Sequence, residues 1–84
     1  MKHATPAALD CLEPFLRELR RLDGLKEKSR GTFYRGSRAF LHFHEHGDEF
    51  YADARIAVDF ERFPATTAAQ RKMLLRTLKT VLKS

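Results

Sequence analysis

The stretch TFYRGSRAFLHFHEHGDEFYADARI, residues 32–56, decides the fold. Its residues alternate in character at a period of two, and Gly36-Ser37 and Gly47-Asp48 cut the run into three pieces. Such alternation marks strands, and glycine-containing dipeptides between them mark hairpin turns. The expectation is a three-stranded antiparallel meander. With Gly47-Asp48 as a two-residue turn, His46 pairs with Glu49, His44 with Tyr51 and His42 with Asp53. Leu41, Phe43, Phe50, Ala52, Ala54 and Ile56 then share one face, interrupted only by Glu45 near the turn. A slip of one residue would scatter that set, so the register is well specified. At the first hairpin, a two-residue turn sets Arg35 opposite Arg38 and Phe33 opposite Phe40. Opposed like charges are unfavourable, which leaves a longer loop open there.

Both flanks read as helices. Thr5-Pro6 suits a helix start, because threonine caps and the missing N–H of proline would be unpaired in the first turn anyway. Leu9, Leu12, Leu16, Leu19 and Leu22 recur at spacings of three and four, drawing one apolar stripe. Pro14 is expected to kink or divide this helix near Leu12-Glu13, and Gly24 to end it in the left-handed C′ conformation. Residues 26–31 read as a charged connector. After the meander, which Ala57-Val58 would prolong, residues 59–64 read as a second connector with two tucked aromatics. Thr67-x-x-Gln70 has the form of a capping box. It opens a helix over 68–83 that places Leu74, Leu75, Leu78, Val81 and Leu82 on one arc.

The fold class expected from this order is α+β, a two-layer αβββα domain with both helices on the Leu41/Phe43/Phe50 face. The opposite face would stay open and display Phe33, Phe40, Tyr51, His42, His44, Asp53 and Arg55. Clustered exposed aromatics usually mark an interface. Phe33, Phe40, Tyr51 and Arg55 are therefore the expected surface for a homodimer or a protein partner.

Length and charge limit the alternatives. Eighty-four residues predict a single domain over 1–84. No apolar run approaches the roughly 18 residues of a membrane span, which predicts no membrane contact. The start, MKHATPAALD, lacks the apolar core of a secretory signal. Cys11 is the only cysteine. It reads as a buried packing thiol and fits a reducing, cytoplasmic compartment. The net charge is +5, but residues 45–61 hold six acids against one arginine, a net of −5 that leaves +10 elsewhere. A negative sheet end and positive helices are expected.

Three kinds of chemistry compete for these residues. His42-x-His44 places two imidazoles on one strand face about 7 Å apart, close enough to share a metal ion. Asp53 opposite His42 would ligate or orient; no cofactor is expected, but were a metal to bind, zinc or another ion that favours imidazole would suit this set. His46, a further two residues on, is too far to join. Lys72, Arg76, Lys79 and Lys83 form a basic line on the last helix which, with Arg35, Arg38 and the sheet aromatics, suits the phosphates and bases of nucleic acid. An oriented His42–Asp53 pair would also serve as a general base, in an RNase-like cleavage by a 2′-hydroxyl. A solvated sheet face and an ordinary amphipathic helix account for the same residues without any ligand. The leading expectation is a non-catalytic interaction module using the open sheet face. Nucleic-acid binding is the alternative, followed by a metal or RNase-like site.

Some residues also carry a resemblance. Leu22, Gly24, Leu25 and Glu27, then Phe33, Gly36, Arg38 and Phe40, lie in a run over 19–43 that resembles the amino-terminal part of YjbR-like proteins. That resemblance implies a helix leading into an aromatic-rich hairpin, and a DNA-binding role suggested by shape. The chain also looks like short bacterial αβββα proteins. In element order it is similar to double-stranded-RNA-binding domains and HicA-type toxins. The toxins imply a strand histidine, here His42 or His44, acting on mRNA.

Overall fold

The computed structural model describes residues 2–83. The chain runs β1 (Lys2–His3), α1 (Pro6–Arg20), β2 (Lys26–Ser29), β3 (Thr32–Arg35), β4 (Arg38–His46), β5 (Glu49–Ala54), β6 (Glu61–Pro64) and α2 (Ala68–Leu82). Its class is α+β. All strand pairs are antiparallel, in the order β2-β3-β4-β5-β6, and β1 pairs with β4. The expected meander is present as β3–β5, but three strands undercount the sheet.

The additional strands come from segments without an alternating pattern. β2 is the charged run Lys26-Glu27-Lys28-Ser29, and lysines suit an edge strand because they discourage pairing with foreign strands. Arg30-Gly31 turns the chain into β3, with Gly31 at φ 81°, a conformation that L side chains rarely adopt. β6 arises from the second expected connector and ends on Pro64, which an edge strand tolerates because one side of its backbone needs no ladder donor. β1 is two residues long, set beside β4 where β3 has ended. β5 stops at Ala54, so Ala57-Val58 does not extend it.

The second hairpin has the expected register throughout. In the first, Arg35 does face Arg38, but Tyr34 pairs with Ala39 and Phe33 with Leu41. One extra residue on β4 bulges the ladder there. A bulge lets neighbouring residues turn to the same side, and Phe40 and Leu41 both enter the core.

Both helices contribute to that core. Leu12, Phe15, Leu16 and Leu19 of α1 and Leu74 and Leu78 of α2 form one buried cluster with Phe33, Phe40, Leu41, Phe43, Ala52 and Ala54. Each fully buried leucine or phenylalanine contributes about 1.5–3 kcal/mol of transfer free energy. Phe15 meets Phe43 edge-on at 6.1 Å between centroids. Thr5 and Thr67 cap the two helices as expected, the second through a complete capping box. α1 runs through Pro14 as one helix, so of the kink or division expected there, division does not occur. It ends at Arg20, ahead of Gly24, which takes φ 93° in the following turn. Cys11 is exposed, correcting its expected burial: the apolar stripe is Leu12, Phe15, Leu16 and Leu19, and Cys11 falls beside it.

Glu45, on the apolar sheet face near the turn, has a defined role. Its Oε2 accepts hydrogen bonds from Thr5 N (2.7 Å) and Thr5 Oγ1 (2.8 Å). The acid thus ties the start of α1 to the end of β4.

Candidate metal centre

Alternation along β4 puts His42 and His44 on the face opposite Leu41 and Phe43. Antiparallel pairing brings Asp53 of β5 opposite His42 and Tyr51 opposite His44. β6 adds Arg62 opposite Asp53, and β1 adds His3 opposite His44. Four strands thereby deliver polar side chains to one patch.

The distances are short. Asp53 Oδ2 lies 3.0 Å from His44 Nε2 and 3.5 Å from His42 Nε2. One ligand atom from each of the three residues falls within 4.8 Å of the others, so the group could hold a metal ion. The His42 and His44 rings meet edge-on at 4.9 Å. Phe60 stands edge-on to His42 at 4.9 Å, and the Arg55 guanidinium lies over the Phe60 ring, 4.4 Å from its centroid.

Electrostatics and burial act together here. His44 and Asp53 are each only 9% exposed. Arg62 Nε and Nη2 donate to the two Asp53 oxygens at 2.8 and 2.9 Å, a bidentate pair. The Arg62 hydrogen bonds hold the Asp53 carboxyl below its usual range, so it is ionised at neutral pH. Burial pushes the His42 imidazole down, and that outweighs the opposing pull of Asp53. Neutral imidazole is the form that ligates metals. Neither ring nitrogen of His44 has a hydrogen-bond partner among the described residues. Its Nε2 is close enough to Asp53, but the direction is wrong for a hydrogen bond.

The other expected site residues are placed differently. Phe33 is fully buried and Phe40 is 2% exposed. Both belong to the core, which corrects their expected exposure on the open face; the bulge in β4 is the cause. Tyr51 and Arg55 remain half-buried outside the core cluster. The Tyr51 hydroxyl donates to Glu49, and Arg55 donates to the backbone oxygens of Ala39 and Val58. Lys72, Arg76, Lys79 and Lys83 are exposed, as the basic line requires. Lys72 and Lys79 line shallow clefts along the α1–α2 seam, each shared with Glu18. Arg38 is exposed and Arg35 half-buried at the first hairpin, away from α2 in the sheet order.

Three members of the patch were not anticipated from the sequence: His3, Phe60 and Arg62. Arg62 had a readable signal, since Phe63 packs against the core and its predecessor must face the other way. His3 had none, because a two-residue strand has no period.

A comparison with known proteins finds no matching family model and no significant match among curated proteins or solved structures.

Proposed function

We propose that this protein is a small, non-catalytic zinc-binding domain whose outer sheet face holds the ion through His42, His44 and Asp53. The outer face remains the working surface, but its centre is the histidine cluster rather than a pair of exposed rings. One observation carries this reading: both His Nε2 atoms converge on a single Asp53 oxygen, at 3.0 and 3.5 Å. Tetrahedral zinc with bonds of about 2.0–2.1 Å separates neighbouring donor atoms by roughly 3.3 Å. The two histidine–carboxylate spacings match that value, and the three donors lie within 4.8 Å of one another.

The surroundings favour the ion. Zinc accepts mixed imidazole and carboxylate ligands. An unpartnered, buried imidazole nitrogen costs about 1–3 kcal/mol, which coordination would remove. Arg62 carries the opposing charge bonded directly to Asp53. It is 46% exposed, so it can surrender Oδ2 to the metal and keep Oδ1, orienting the carboxylate from outside.

The test is competition for zinc between the metal-free, untagged protein and a chromophoric chelator. One equivalent should bind, and His44→Ala should weaken binding by at least about tenfold. Absence of competition, or equal binding by His44→Ala, contradicts the proposal.

A further inference from the structure

We infer that His3, presented by the two-residue strand β1, is the fourth ligand of this site and closes it. The inference rests on the zinc reading above and adds to it a specific residue and a mechanical consequence.

Three protein ligands leave one position of a tetrahedral ion to water, whereas structural zinc sites are closed by four. The candidates for the fourth position are few. His46 lies on the same face of β4 but pairs with Glu49 beside the turn; His3, which like His46 is exposed and outside the converging group, differs in that its ring touches the cluster. His3 is directly opposite His44 in the β1–β4 ladder. Its ring stacks on the His44 ring at 4.8 Å, tilted by 28°, and lies 5.9 Å from the His42 ring. Directly opposed strand residues have Cβ atoms about 4.5–5.5 Å apart, and ligation requires the His3 ring to rotate out of its stacked position. His3 is exposed, which leaves its ring free to make that rotation.

The backbone is already fixed for this role. Ala4 N donates to Phe43 O at 3.1 Å. Thr5, the cap of α1, is held by Glu45 through two hydrogen bonds. His3 is thus delivered to the patch from a segment anchored just behind it. The four ligands then come from three neighbouring strands, β1, β4 and β5. Ligation would staple β1 to the sheet and couple the start of α1 to metal occupancy.

The experiment compares zinc affinity and amide exchange in the full chain, wild type against His3→Phe. Phenylalanine preserves a ring to stack on His44 and removes the donor. Zinc should bind His3→Phe about 10- to 100-fold more weakly than wild type. Exchange at Ala4 N–H should slow on zinc addition in wild type only. Equal affinity, with equal slowing, overturns the role of His3 and leaves the three-ligand site standing. Failure of wild type to bind zinc overturns both.

Discussion

His44 Nε2 and Asp53 Oδ2 face each other at 3.0 Å across β4 and β5 without forming a hydrogen bond. Proteins rarely leave a buried ring nitrogen in that condition, because the lost hydration is not replaced. A shared ion would reconcile the close approach with the poor direction. The same carboxylate is bonded on its other side by Arg62, so its position does not depend on the histidines.

Asp53→Asn separates the two tasks of that residue. It removes the charge that Arg62 pairs with, and the metal-free protein should lose about 1–2 kcal/mol in urea denaturation, the partial exposure of Arg62 keeping the figure low. Zinc affinity should fall as well. Unchanged stability would show that the Arg62 pair contributes nothing to the fold.

Phe40 gives a test of the sheet's orientation. At 2% exposure in the core cluster, Phe40→Ala should cost about 3–5 kcal/mol. Phe40→Glu should leave the chain largely unfolded by circular dichroism. A folded Phe40→Glu variant would place the ring outside and restore the exposed interface first expected.

The tie between Thr5 and Glu45 should matter in proportion to its bonds. Thr5→Ala removes the cap on Ala8 N together with one donor to Glu45, and should cost about 1–2 kcal/mol. Thermal unfolding reads the effect. Met73→Ala, at a residue 69% exposed, serves as the control and should change stability by less than about 0.5 kcal/mol.

Acid should weaken the fold through the ion-pair cluster linking α1 to β2. Hydrogen bonds from Arg20 and then Arg30 draw the Glu13 carboxyl from 4.5 to about 2. Glu27 also titrates low, because the Arg20 and Gly31 donors outweigh its burial. A carboxyl depressed in the folded state adds stability that is fully present above its unfolded pKa and is lost as pH falls through the folded one. Stability should therefore decline from pH 4.5 toward about 2. The Glu13→Gln, Glu27→Gln double variant should show a flatter profile across that window; an equally steep one would assign the acid response to other groups.

Much of this was legible in advance, and the exceptions have physical causes. Alternation between Leu41 and Ala54 located the central hairpin and brought His42 and Asp53 together, because a half-buried sheet tolerates only one register. Charged β2 and proline-terminated β6 carry edge-strand signals, which a search for apolar alternation does not register. Phe33 and Phe40 were placed outside because strict alternation permits no bulge. The unfavourable Arg35–Arg38 pairing had marked that hairpin as irregular, but not where the extra residue would fall. His3 depends on the tertiary anchoring of Thr5 by Glu45, forty residues away in sequence, a contact that local pattern cannot specify.

The most direct measurement follows the imidazole nitrogen signals of the four histidines by NMR while zinc is added to the metal-free protein. His42 and His44 should shift together and saturate at one equivalent, while exposed His46 stays in place. If His46 alone moves, or none of the rings responds, the outer sheet face is not a metal centre.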